Sequence, residues 1–355
     1  MIYGNKFLNC NTDTVNNIFN VMSNDIAFIE SLDIENEFIS ESSVDIVHKI
    51  FDRIKDIFRR LINTCKKVIN IIKSKILVMG NKLLGLLDDC LHGKYIDVSN
   101  AFDDKFADEF FEDDFEDDFF DEAFIVEESK SDNCNIYYCG YSNSSWSHAV
   151  FEESISVFKN AIDIIDKSLR AIEISDKDEM NTLADEYKDK YKSTINQIIE
   201  DGSDDIKTFH NDFNEFKSHK GTDYKSNTSN EFWWKTLNCS DRQSIEITRA
   251  NIRDDLNIII NRSKLYTDTM NKTLDWERKI KYIGDRAKSI INFNTNESMT
   301  NVLNIIQDLT RASSMQYKAL SLDIKIQFYE SKINFENTIK LIKWFSKNRN
   351  KQDEN

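Results

Sequence analysis

Not one proline occurs in 355 residues, and there are only eight glycines. Average usage would supply roughly 5% proline and 7% glycine, so the residues that punctuate turns and irregular loops are nearly missing. Proline is the strongest helix breaker, and glycine supplies both flexible loops and the backbone approach that phosphate-binding loops need. The expectation is therefore an all-α chain. Its body is expected to be an elongated helical bundle with a long antiparallel helical hairpin, accompanied by an acidic, partly disordered segment.

Charge narrows the partners. A net charge of -16 and a pI near 4.9 set the chain as a whole against nucleic acid, because polyanions repel it. Residues 1–14 show no basic stretch followed by an apolar core, so no secretory signal is expected. The most apolar stretch, Val68 to Leu87, is interrupted by Lys73, Lys75 and Lys82, which argues against a membrane span. Six cysteines are scattered without framework spacing, which predicts free thiols.

Hydrophobic spacing divides the chain into an acidic helical segment (1–40), a basic amphipathic helix (41–90), an acidic Phe-rich segment with a polar linker (91–146), a helical body (147–348) and a polar tail (349–355). In the second of these, Glu41-Ser42-Ser43 offers a hydroxyl cap. Val47, Ile50, Ile54, Ile57, Leu61 and Val68 then form one stripe, broken at Thr64. Past Asp56 this helix carries only basic charge, through Arg59, Arg60, Lys66, Lys67, Lys73, Lys75 and Lys82, until Asp88. Its apolar face suits a bundle, a lipid interface or a partner groove, and periodicity does not choose among them. Gly80, Gly85 and Gly93 are expected to break and end it.

The segment Phe102 to Phe124 reads FDDKFADEFFEDDFEDDFFDEAF. Phe106, Phe110, Phe115 and Phe119 recur at helical spacing while nearly everything between is acidic. Asp is a poor helix former and like charges repel along a helix. The expectation is a docking element that orders when its rings find a surface. The closest basic surface is the chain's own Arg59 to Lys82 stretch, which would make the tract a guard over the basic helix.

In the body, Phe151, Ile155, Phe158, Ile162, Ile165, Leu169 and Ile172 keep steps of four and three, as a coiled-coil seam does. Further helices are expected over 177–199, 204–216, 240–292 and 297–347, with a polar linker at 218–230. Ile252, Leu256, Ile259, Tyr266 and Met270 mark the seam of the third. Between them Phe232-Trp233-Trp234 forms an aromatic cluster. Burial in the bundle or at a subunit contact is the expectation for Trp233 and Trp234, with an interfacial membrane anchor as the alternative.

Catalytic signatures are missing. Gly80 and Gly85 have P-loop spacing, but Leu86-Leu87 stand where Lys and Ser or Thr would reach phosphate and magnesium. Cys134 and Cys139 with His148 come nearest to a zinc site, yet the pair is widely spaced and no fourth ligand is evident. No enzyme, cofactor or metal is expected.

The run SSVDIVHKIFDRIKDIFRRLINTCKKVINIIKSKI (42–76) and the C-terminal YKALSLDIKIQFYESKINFENTIKLIKWFSKNR (317–349) resemble internal head and other virion structural proteins of large tailed bacteriophages. The resemblance implies a non-catalytic, all-helical capsid-associated protein, made in the host cytoplasm and packed against other virion or capsid proteins or against copies of itself. It also implies trimming by a prohead protease after an apolar-x-Glu pattern, which Ile39-Ser40-Glu41 and Ile125-Val126-Glu127 fit. The alternative is a membrane-active helical protein, an ejected virion protein or a pore-forming toxin, that uses the basic helix on a membrane surface.

Overall fold

The computed structural model describes residues 43–94, 96, 135–141, 182, 193–228, 231–238, 242–293 and 296–353, together with helical positions spread through 151–170. These residues are mostly helical. Helix α1 (Ser43–Ile71) passes through a single π turn (Ile72–Ile76) into α2 (Leu77–Leu91). Strand β1 (Asn135–Tyr141) precedes the 151–170 helix, and α3 (Ser193–Ser218) is followed by β2 (Tyr224–Lys225) and β3 (Phe232–Asn238). The chain closes with α4 (Arg242–Phe293) and α5 (Asn296–Asp353). At about 1.5 Å per residue, these last two are on the order of 80 Å long.

Named side-chain contacts fix the directions. Phe58 meets Trp276 with ring centroids 6.2 Å apart, and Asp88 meets Arg249 at 2.5 Å, so α1–α2 and α4 run oppositely. Asp255 accepts from Asn334 at 2.8 Å, and Tyr266 donates to Asp323, so α4 and α5 also run oppositely. The 151–170 helix follows α4, with Phe151 on Tyr266 and Asp166 on Arg286 at 2.6 Å. Helix α3 follows α5, through Asn196 with Arg311 and Phe213 with Tyr329.

The apolar stripe of the basic helix enters the main core. Ile54, Ile57, Leu61 and Val68 are buried together with Phe158, Trp276 and Ile280. The break in the stripe has a cause: the buried Thr64 hydroxyl lies 3.3 Å from Tyr317 Oη on α5. Helices α4 and α5 of the same chain cover this stripe. The tract itself, with Phe106, Phe110, Phe115 and Phe119, lies outside the described residues.

The expectation of an all-α chain holds as a mostly helical one, to which a three-stranded antiparallel sheet of order β1-β3-β2 is added. Two of its strands fall in stretches read as polar linkers, and the third is the Phe232-Trp233-Trp234 cluster. Its inner face, Phe232 and Trp234, joins Phe209, Phe213 and Phe216 of α3 and Tyr329 of α5 in a second core. Helix propensity favoured none of these strands. They are held by aromatic packing against helices that only the tertiary fold brings together.

The glycines act differently from expectation. Gly80 and Gly85 sit inside α2 without breaking it, and the irregularity is the π turn one and a half turns earlier. Gly93 does terminate the helix: its φ of 73° is left-handed, and Lys94 N–H reaches back to Asp89 O at 2.9 Å. Gly80 is there for close approach, because a Cβ would run into the Leu256 side chain of α4, whereas at Gly85 it would meet nothing within 4 Å. Gly85→Ala is thus expected to stabilise by about 0.5–1 kcal/mol, and Gly80→Ala to destabilise by about 1–3 kcal/mol through overpacking. Urea unfolding of the two variants should move the midpoint in opposite directions.

Candidate functional site: a polar seam between the long helices

Helix α4 carries an unbroken seven-residue repeat. Ile245, Ile252, Ile259, Tyr266, Thr273, Ile280 and Ala287 are all buried, and so are the residues three further on: Thr248, Asp255, Arg262, Thr269, Trp276, Ile283 and Ile290. A heptad seam normally places apolar residues at both positions. Here the second position is polar or charged for four consecutive repeats. On α5, Gln316, Asp323, Gln327, Glu330, Asn334 and Asn337 are buried too, the last five at steps of three and four.

Two clusters organise this seam. In the first, Arg262 and Asp323 are 2% and 1% exposed and face each other at 3.9 Å. Tyr266 donates its hydroxyl to Asp323 Oδ2, and Gln327 Nε2 donates to the same oxygen at 2.9 Å. Burial, with the Asp323 charge adding to it, holds the Tyr266 phenol well above its ordinary range.

In the second cluster, Asp255 of α4 and Glu330 of α5 are both buried and lie close enough to act on each other's ionisation. Burial pushes Asp255 up to about 7 and Glu330 well above the usual carboxylate range, the neighbouring carboxyl contributing to the latter. Asn334 Nδ2 donates to Asp255 Oδ2 at 2.8 Å and to Cys139 O at 3.0 Å, while its Oδ1 accepts from Cys139 N–H at 3.1 Å. One amide side chain therefore takes both backbone groups of Cys139 on the edge of β1 that β3 leaves uncovered. Asn337 adds a bond to Tyr137 O at 2.6 Å. An open strand edge invites foreign strands, and α5 closes this one with side chains.

Comparison with protein families, curated proteins and solved structures returns no match. The chemistry of the seam must be argued from its own geometry.

The residues singled out in the sequence fall elsewhere. Ile50 is helical, while Ile54 and Ile57 are buried in the main core. Arg59, Arg60, Lys66 and Lys67 lie exposed on the opposite face of α1, where Arg59 pairs with Asp56 at 3.2 Å. Trp234 is buried, its indole N–H capping Phe216 O at 2.8 Å, and Trp233 is half-buried against the main core. Of these, Trp233 comes near the seam, its ring lying across Gly140 from Glu330. Cys139, weighed as a zinc ligand with Cys134 and His148, is a buried free thiol whose Sγ lies 3.6 Å from Asn334 Oδ1, and burial raises its pKa well above the ordinary range. Cys134 and His148 lie outside the described residues.

No helix among the described residues is long and apolar enough to cross a membrane.

Proposed function

We propose that this chain is a non-enzymatic structural protein of a virus particle, a virion or internal capsid component that acts through helix-mediated contacts. Its body, in this reading, is an elongated helical bundle built on the antiparallel α4–α5 hairpin. The observation that supports a structural role is the use made of α5. Between Thr310 and Ile342 only Lys340 is exposed, and the polar groups of the helix are spent on holding other elements. Arg311 holds α3, Tyr317 holds α1, Asp323 holds α4, and Asn334 and Asn337 hold β1. A central helix bonded in turn to each neighbour is a strut. The virion assignment comes from the resemblance of residues 42–76 and 317–349 to phage head proteins.

Gradient-purified particles from producing cells should contain the chain at a constant copy number, with cross-links from Lys66 and Lys67 to other particle proteins. Recovery only in the soluble fraction would remove the proposal. The membrane-active alternative requires the stripe of α1 to leave the main core. In co-sedimentation with anionic vesicles the full chain should stay in the supernatant, and pelleting accompanied by dye release would favour that alternative.

A further inference from the structure

The second cluster joins three elements through two acidic side chains, and a structural seam has no need of ionisable groups there. Asp255 is contributed by α4, Glu330 by α5, and Asn334 links the pair to the backbone of β1. Strand β1 lies directly over the pair: a Cβ at Gly140 would stand 3.0 Å from Glu330 Oε1, so the strand sits this close because residue 140 has no side chain. We propose that the Asp255–Glu330 pair is a proton-operated latch that, while it keeps a proton, closes the α4–α5 seam and docks β1 on α5, and, with both carboxyls ionised, releases both.

The physics is that of two carboxyls sharing one interior site. With one proton between them, a protonated Glu330 donates to Asp255, and Asn334 Nδ2 donates to the same carboxyl, both bonds favouring ionised Asp255. With both ionised they carry like charges in contact, away from water, and none of the described residues nearby supplies an equal positive charge. On α4, Asp254 adds negative charge beside Asp255, and Arg262 alone pulls Glu330 the other way. On β1 the facing group is the Cys139 thiol, which stays neutral because burial raises its pKa. From beyond α3, Lys220 reaches toward Cys139, and it is lowered to about 8 by burial, with Lys340 and Lys332 adding to the effect against Glu336. Helix α2 presents Gly80 to Leu256, next to Asp255.

The sign follows from linkage. Both carboxyls have folded-state values above their unfolded ones, so the folded state binds the extra protons. The stabilisation is complete below the unfolded carboxylate range, near pH 4, and is lost as pH rises through about 7 and beyond. The latch opens toward alkaline pH, the reverse of ordinary acid unfolding.

Hydrogen exchange of the full chain, corrected for the intrinsic effect of pH, tests this at the peptide spanning 135–141. From about pH 5 to about pH 8.5, opening of β1 should rise by up to about tenfold for each pH unit above the Asp255 titration. Glu330→Gln, alone and together with Asp255→Asn, should flatten that slope, while Lys220→Gln should leave it in place. In the wild type, the infrared carbonyl band of a protonated carboxyl should fade over the range in which β1 loosens, a readout that needs no variant to fold. The proposal is overturned by a flat wild-type slope or by a slope that survives in the folded double variant Asp255→Asn with Glu330→Gln. Loss of the slope in Lys220→Gln, or a carboxyl band that persists after β1 has opened, overturns it equally.

Discussion

Replacing Asp323 with alanine is expected to cost the fold about 3–5 kcal/mol, the loss that follows when one member of a buried ion pair is removed. Arg262 stays 2% exposed opposite the vacated position, and an arginine does not shed its charge to escape. Tyr266 and Gln327 lose their shared acceptor at the same time. The measurement is the urea midpoint at unchanged slope, which reports stability alone. The double variant Arg262→Leu with Asp323→Leu removes both charges and should lose far less than the single one, because the Coulombic gain of a buried pair barely exceeds its desolvation cost. A single-variant loss below about 1 kcal/mol would mean that water reaches the seam and that the pair is not sealed in the interior.

That cluster also shows where sequence reasoning ran out. A search for hydrophobic periodicity finds Ile252, Ile259 and Tyr266 because they are apolar or aromatic, and it passes over Thr248, Asp255, Arg262 and Thr269 because they are not. Yet these four stand three residues after Ile245, Ile252, Ile259 and Tyr266, with the same seven-residue period. The period was present in the sequence, and only the assumption that a buried position must be apolar concealed it. Reading each apolar repeat together with its +3 neighbours, whatever their chemistry, would have exposed an inward charge of each sign on one face of α4. The opposing residues on α5 were harder to see. That helix is buried nearly all round, so its residues show no polar face from which a seam could be told apart.

The long helices were legible for a simpler reason. With no proline and few glycines, nothing stops a helix once begun; the expected span 297–347 falls within α5, and 240–292 matches α4 except for its first two residues. The sheet was not legible because its stability is not local. Asn135 to Tyr141 has no alternating pattern strong enough to announce a strand, and its edge is completed by Asn334 and Asn337, some two hundred residues away. The same distance explains Trp234. Its indole looks like a membrane anchor in isolation, but the fold gives its ring to Phe216 at 5.0 Å and its N–H to a helix C-terminus. The π turn within Ile72–Ile76 was likewise invisible, since its residues are ordinary helix formers.

What docks the 151–170 helix on the rest of the body can be decided by comparing two substitutions. Phe158 is fully buried, with ring centroids 5.0 Å from Phe58 and 4.9 Å from Trp276, so it ties α1 and α4 to this helix at one point. Five residues on, Asp163 pairs with Lys279 at 3.0 Å, but both side chains are some two-fifths or more exposed. Phe158→Ala should cost about 3–5 kcal/mol, the transfer of the ring plus the cavity that the two remaining aromatics cannot close. Asp163→Asn should cost no more than about 1 kcal/mol, because an exposed pair is screened by solvent and salt. Chemical unfolding gives both numbers, and the Phe158→Ala protein should also show altered Trp276 emission before unfolding begins. Equal losses would assign the docking to the ion pair. A Phe158→Ala cost under about 1 kcal/mol would mean that the 151–170 helix packs too loosely against α1 and α4 to be part of the same core.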